Sequence, residues 1–269
     1  MQEIRVESDY SFDSIRRELD KLGLKDVELS FFDEITSTNT EMKLSYLEGK
    51  LEAKPTLFVA RRQTAGKGRL GRSFSSPDAG IYMSLLLPGE NGGAVLTAYV
   101  SVMTAEAIEE IAGFSPDIKW VNDLYASGRK LSGILCEGLI SAEGGGLEAS
   151  VVGIGINALK TDFPVEISAI ATSLEDVIGK KISRSLLVAK LAEKLIKKLP
   201  TLSNNELIEK YKSKSNVIGK RIKVNRGEES FFALALDVNE RAELVVKKDT
   251  GEVIALNSGE VSVGLNFNN

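Results

Sequence analysis

The stretch Gly66-Lys67-Gly68-Arg69-Leu70-Gly71-Arg72 carries the residue types that most directly suggest chemistry. Glycines let backbone N–H groups approach an anion closely, and Lys67, Arg69 and Arg72 add positive charge, so the loop suits a phosphate-bearing ligand. The GxGxxG spacing inside it tempts a dinucleotide-binding reading, but that reading needs a helix directly after the glycines. Here Ser73, Phe74, Ser75, Ser76, Pro77 and Asp78 follow, and then the strand-like GIYMSLLLP. No G-K-[S/T] stands at Walker A spacing. A protein-kinase glycine loop requires a histidine in its catalytic loop, and the chain contains none. What remains is a cationic, glycine-permitted loop for a small phosphate ligand, against the alternative of a solvated basic loop.

A second cluster runs Lys119-Trp120-Val121-Asn122-Asp123 and on through Arg129-Lys130-Leu131-Ser132-Gly133-Ile134. Asn122 and Asp123 lie in strand-rich sequence for which neither has propensity, a sign of local chemistry overriding propensity. Lys130 opens an apolar strand. On a central strand it needs an anionic partner, because an unpaired buried ammonium is costly; on an edge it is a solvated charge. Lys119 reads most simply as a solvated strand charge and Trp120 as a core aromatic. Cys136, without a base partner, reads as a small buried apolar residue. A third element, Gly153-Ile154-Gly155-Ile156-Asn157, ends an apolar strand. Its glycines permit close approach of a ligand or another backbone, and the Asn157 amide can bond both edges of a base. A tight strand turn explains the same residues equally well.

These residues need a scaffold. With 269 residues, 43% hydrophobic and 27% charged, the chain sits near the average for soluble globular proteins, long enough for a large domain plus a small one. A net charge of −4 provides no global attraction for nucleic acid. The absence of histidine excludes Ser-His-Asp and Cys-His nucleophile systems and His-ligated metals. A single cysteine excludes intrachain disulfides and suits a reducing, cytoplasmic setting. No apolar run reaches the roughly 18–20 residues of a membrane span, and the charged beginning MQEIRVESDYSFDSIRREL lacks a secretory signal's apolar core.

Periodicity predicts a helix from Ser11 to Leu24, a strand at VELSFFDEI, a helix opening at TSTNTEM with Ser37, Thr38 and Asn39 at its N-cap, and strands at TLFVARRQ and GIYMSLLLP. A long amphipathic helix follows, closed by Gly113. DIKWVNDLYASGRKLSGILCEG reads as two strands joined at ASGRK, and LEASVVGIGINAL as another. Helices at SRSLLVAKLAEKLIKKLP and NNELIEKYKSK lead to short alternating strands from Val217 onward. The expectation is an α/β domain over 1–212 and a small all-β domain over 213–269, with a frayed LNFNN end.

Taken together, TSTNTEM, QTAGKGRLGRSFSSPDAGIYMSLLL, KWVNDLYASGRKLSGILCE and VVGIGINA, in that order, resemble the biotin–protein ligase family, and IGKRIKV…GEVIALNSGEVSV resembles that family's C-terminal barrel. The resemblance runs from about Ser30 to Val263. It implies an α+β fold: a mixed or antiparallel catalytic sheet flanked by helices, then a small all-β SH3-like barrel. It also implies a two-step reaction in which biotin and ATP give biotinyl-5′-adenylate, and a lysine of a biotin carboxyl carrier protein then takes the biotinyl group. Both nucleophiles come from substrates, which fits the missing histidine. The site must supply positioning and positive charge at the α-phosphate, with Mg²⁺ on the ATP phosphates.

By motif, the resemblance assigns Ser37, Thr38, Asn39 and Gln63 to a biotin pocket, with Lys67, Gly68, Arg69, Lys130 and Gly133 around it. It assigns Gly66, Lys67, Gly68, Arg69, Arg72, Phe74, Asn122, Lys130 and Asn157 to ATP, with Lys130, Arg69 and Asp123 as the catalytic residues. Phe74 stands where the family usually has tryptophan, Lys67 where it more often has arginine, Leu70 where a basic residue is common, and Val121 where it usually has proline. Some relatives carry an N-terminal DNA-binding module. The short stretch before the first motif gives the expectation of no specific DNA binding. A homodimer through sheet edges is a further implication of the family. A lipoate–protein ligase of the same fold, and a non-catalytic biotin- or adenylate-binding regulator, are the competing readings.

Overall fold

A computed structural model describes residues 10–89, 92–140 and 145–263; the predicted frayed LNFNN end lies outside them. Helix α1 (Phe12–Lys21) starts at a capping box between Ser11 and Ser14 and buries Ile15 and Leu19. Strand β1 (Glu28–Ile35) leads into α2 (Thr38–Leu47), capped by Ser37. β2 (Thr56–Gln63) and β3 (Gly80–Pro88) flank the glycine loop. α3 (Gly93–Ala112) ends where Gly113 takes a left-handed φ of 67°, a conformation that lacks a Cβ penalty only in glycine.

The segment predicted as two strands is three: β4 (Asp117–Lys119), β5 (Asp123–Ala126) and β6 (Arg129–Ile140). The extra reversal occurs at Trp120-Val121-Asn122, a turn with no glycine or Asx-Gly signal to announce it, across a cis Trp120–Val121 peptide. β7 (Leu147–Asn157) follows, then short α4 (Val165–Ser168) and α5 (Leu174–Ile178). α6 (Arg184–Glu193) runs on into a wider helical turn over Lys194–Lys198, and α7 (Asn204–Lys214) closes the helical part. The predicted boundary at 212/213 falls in the last turn of α7, just ahead of the linker to the next strand.

The larger sheet has seven strands in the order β1-β2-β3-β7-β6-β5-β4, with β1–β2 parallel and every other pair antiparallel. Its long central strands differ by face. On β7, Ile154 and Ile156 point into the main core, which includes Met83, Val59 and Ile134 and is covered by α3 and α6. The alternate residues, Gly153 and Gly155, lie on the opposite face beside Ser84 and Tyr82 of β3. That second face carries α2, whose Met42 packs on Phe58, Leu86 and Val151. The period-2 alternation of glycine with isoleucine thus builds one filled face and one hollowed face.

The C-terminal part forms a five-stranded antiparallel sheet in the order β11-β10-β9-β8-β12, from β8 (Arg221–Arg226), β9 (Glu229–Val238), β10 (Leu244–Lys248), β11 (Val253–Leu256) and β12 (Glu260–Val263). Ile222, Val224, Ala233, Ala235, Leu244 and Val246 fill its inner side. It is tied to the larger sheet where the Trp120 indole Nε1 donates to the Ala242 carbonyl at 2.9 Å. No helix among the described residues is long and apolar enough to cross a membrane.

Candidate active site

The hollowed face of the sheet opens into a cavity of about 980 Å³. The residues that the resemblance assigned to biotin, ATP or catalysis line it: Ser37, Thr38, Asn39 and Gln63; Gly66, Lys67, Gly68, Arg69, Arg72 and Phe74; Asn122, Asp123, Lys130 and Gly133; and Asn157. Segments separated by over a hundred residues are brought together because β3, β7, β6 and β5 are neighbours in the sheet.

One end is a chain of neutral hydrogen bonds. The Thr38 backbone N–H donates to Gln63 Oε1 at 2.9 Å, and the Gln63 amide donates onward to Ser76 Oγ at 3.0 Å. The buried Ser84 hydroxyl sits within hydrogen-bond reach of both Thr38 Oγ1 (2.7 Å) and Asn39 Oδ1 (2.6 Å). Asn39 has the space it occupies because position 153 is glycine; a Cβ there would collide with the Asn39 carboxamide. Thr38, Asn39, Ser76 and Ser84 are buried and Gln63 is half-buried, and the bonds among them fix their orientation before any ligand arrives.

The middle of the cavity holds the charges. Lys130 Nζ lies 2.7 Å from Asp123 Oδ1. A bulge makes this geometry: Leu124 pairs with Ser132 but Tyr125 pairs with Lys130, so Leu131 is the extra residue. The bulge turns Lys130 onto the face occupied by Gly133, opposite Asp123. Asn122 Nδ2 donates to Asp123 Oδ1 at 3.1 Å and to the Ile134 carbonyl at 3.0 Å, while its Oδ1 accepts from Arg69 at 3.0 Å. Arg69, Asn122, Asp123 and Lys130 therefore form one connected polar set. Asn157 sits at the far wall, where its amide donates to the backbone carbonyls of Thr172 at 3.0 Å and Lys130 at 3.4 Å. Its placement beside Lys130 is thus part of the wall's own hydrogen bonding.

The glycine loop is a short hairpin-like turn. Phe74 N–H donates to the Gly66 carbonyl and Gly68 N–H to the Arg72 carbonyl, each at 2.8 Å. Leu70 and Gly71 take positive φ at its tip. Gly66 is required by crowding, since a Cβ would lie 2.5 Å from the Phe74 carbonyl oxygen. The Phe74 ring then lies over Gly155 and Gly133, where Cβ atoms would stand 2.6 and 3.0 Å from it. Arg72 pairs with Glu260 on β12, so the loop touches the C-terminal sheet.

Sequence reasoning missed several lining residues. Lys119, read as a solvated strand charge, faces the cavity instead; its ammonium donates to the Tyr125 hydroxyl at 3.3 Å, and burial lowers its pKa from the usual lysine range. Glu260, Asn225 and Ser262 reach the cavity rim from the C-terminal sheet, a contact no local pattern encodes. Cys136, expected to be buried, is only partly so and packs against the core; desolvation still pushes its thiol up to about 12, so it is protonated at neutral pH.

The fold and this site define the biotin/lipoate ligase class of proteins. Residues 31–157 match the biotin/lipoate A/B protein ligase family, and residues 217–264 match the biotin protein ligase C-terminal domain. A solved biotin protein ligase from Aquifex aeolicus, in complex with biotin and ATP, superimposes with a TM-score of 0.74 at 31% identity, covering 88% of this chain and 98% of that one. The biotin–[acetyl-CoA-carboxylase] ligase of Mycobacterium tuberculosis is 26% identical over 93% of this chain and 97% of its own length. The bifunctional ligase/repressor BirA of Bacillus subtilis is 32% identical over 218 residues, 78% of this chain and 66% of the relative. The chain thus spans just under two thirds of that relative's length. It belongs to the biotin protein ligase family.

Proposed function

We propose that the protein activates biotin with ATP and transfers it to a lysine of a biotin carboxyl carrier protein domain in the cytoplasm. The carrying observation is the connected set Lys130–Asp123–Asn122–Arg69, placed between a buried neutral hydrogen-bonding pocket and a cationic glycine loop. Biotin's ureido ring would occupy the neutral end, against Ser37, Thr38, Asn39 and Gln63. Its valeryl carboxylate would then reach Lys130. ATP would lie along Phe74 and Asn157, with its phosphates under Lys67, Gly68, Arg69 and Arg72.

In the first step a biotin carboxylate oxygen attacks the α-phosphorus as the bond to pyrophosphate breaks. The two reactants are both anionic, so fixed cations in a water-poor site lower their repulsion and stabilise the charge that develops. Lys130 is held for this by Asp123, and Arg69 by Asn122. In the second step the carrier's lysine amine attacks the acyl carbon and AMP leaves. Asp123, Asn122 and the cavity mouth face that approach. Among the described residues no cluster of three acidic, cysteine or histidine side chains is available to hold a metal, so Mg²⁺ is proposed to enter on the ATP phosphates. Pairing into a homodimer would use the edge strand β1, since the outer edge of β4 is occupied where Asn216 N–H donates to the Ile118 carbonyl at 2.9 Å. A lipoate substrate is the poorer fit, since a dithiolane offers no N–H or carbonyl to the hydrogen-bonding capacity that the neutral end keeps beyond its internal bonds.

The test is to incubate the protein with biotin and Mg²⁺-ATP and look for biotinyl-adenylate by mass spectrometry, then add a carrier domain. The expected result is accumulation of adenylate that is consumed as the carrier gains one biotinyl mass. No adenylate with biotin would overturn the proposal.

A further inference from the structure

Behind the neutral end of the cavity lies a carboxylate that the proposed reaction does not use. Glu137 stands on β6 and faces α2. One of its oxygens accepts from Lys43 Nζ at 2.7 Å and the other from Asn39 Nδ2 at 3.0 Å. The second Asn39 amide hydrogen goes to the Leu135 carbonyl at 3.1 Å. Both donors of the amide are therefore spent on acceptors of the protein itself. Its acceptor, Oδ1, lies beside Gly153 within 2.6 Å of the Ser84 hydroxyl, and Asn39 and Gly153 both line the cavity. Burial alone would raise the Glu137 carboxyl, but the hydrogen bonds from Lys43 and Asn39 outweigh it and hold the group below the usual carboxylate range.

We propose that Glu137 is a positioning residue: it locks the Asn39 amide with its oxygen toward the ligand, and so makes this wall selective for an acid whose ring presents N–H donors, a cyclic urea. The argument is one of acceptor against acceptor. An Asn amide is nearly symmetric in shape, and its hydrogen-bond partners alone decide which way it points. Turned by half a rotation, Oδ1 would meet the Glu137 carboxylate and the Leu135 carbonyl together, with no proton between them. An ionised Glu137, anchored by Lys43, removes that alternative. The fixed oxygen keeps acceptor capacity beyond its bond with Ser84, which a ring N–H satisfies. A dithiolane or a plain alkyl chain brings no donor and leaves that second acceptor site desolvated and unmet while the bond from Ser84 stays, a form of mismatch that discriminates between ligands.

This inference rests on the reading of the neutral end as a biotin pocket. The experiment is calorimetric titration of the full chain with biotin, desthiobiotin and octanoate, alongside the ATP KM, for the wild type, Glu137→Gln, Asn39→Ala and the double variant. Glutamine keeps the shape of Glu137 while offering an N–H that tolerates the turned amide. The expected result is biotin and desthiobiotin binding weakened by about tenfold in Glu137→Gln, the size of one lost buried hydrogen bond. Octanoate binding and the ATP KM should stay within twofold. The double variant should be no worse than Asn39→Ala, because Glu137 acts only through that amide. If Glu137→Gln fails to fold, Lys43→Met, at the exposed end of the chain of bonds, should give a smaller loss confined to the urea ligands. Wild-type affinity for biotin in Glu137→Gln, parallel loss of biotin and ATP, or additive losses would overturn the lock while leaving the pocket intact. A wild type that binds no biotin would overturn the pocket and the lock together.

Discussion

Lys130 and Asp123 face each other at 2.7 Å in the centre of the cavity, and the consequences at residue scale follow from that pair. Replacing Lys130 by Ala removes a preorganised cation from where charge develops, and adenylate formation should fall by about 10²–10³ in rate, with little change in Tm. Equal rates in a stopped-flow assay of pyrophosphate release would contradict the role. Gly155→Ala places a methyl 2.6 Å from the Phe74 ring and should raise the ATP KM while leaving biotin binding intact. Lys119→Met removes a desolvated ammonium. Because burial depresses its pKa, the charged form is penalised at every pH below the folded value, so at neutral pH the substitution should raise Tm, by about 2–4 °C for each 1 kcal/mol relieved. A lower Tm by calorimetry would show that Lys119 is well paired. At this scale the sequence was informative where a motif joined glycines to charge. Lys119 read as a solvated charge because a lone lysine on a short strand carries no local sign of what lies opposite it.

The elements owe their positions to two kinds of contact, and only one is visible in a linear pattern. The Gly153/Gly155 against Ile154/Ile156 alternation encodes the hollowed and filled faces of β7, and the strands TLFVARRQ and GIYMSLLLP coincide with β2 and β3. β4 was hidden: it is three residues long, and its turn into β5 is held by Asn122 bonding to Ile134, a partner on another strand. Packing between helices was hidden too. Lys194, one of the few charged side chains in the core, reaches Glu110 at 2.5 Å and Glu106 at 3.5 Å, joining the end of α6 to α3. Burial would lower the Lys194 pKa, but the Glu110 hydrogen bond outweighs it and the group stays charged. Lys194→Ala strips two carboxylates of a buried partner and should cost about 3 kcal/mol in a urea melt, with adenylation in the folded fraction unchanged. A loss under about 0.5 kcal/mol would mean the pair is effectively solvated.

At the scale of the whole molecule, the C-terminal sheet is bound to the catalytic domain by specific bonds: Trp120 to Ala242, Asn204 to Glu240 at 2.7 Å, Lys212 to Asp237 at 3.1 Å, and Arg72 to Glu260. The two parts should therefore unfold in a single calorimetric transition; two separated transitions would show that the sheets are energetically independent. The glycine loop lines the cavity and reaches the C-terminal sheet through Arg72; if it closes over the ligands, biotin with ATP should protect Lys67, Arg69 and Arg72 from trypsin, and unchanged cleavage would count against closure. The most direct test of the central claim is ATP–pyrophosphate exchange with Mg²⁺, comparing biotin, lipoate and octanoate as the acid. Exchange with biotin alone is the predicted result. Exchange that prefers lipoate, or none with any of the three, would contradict it.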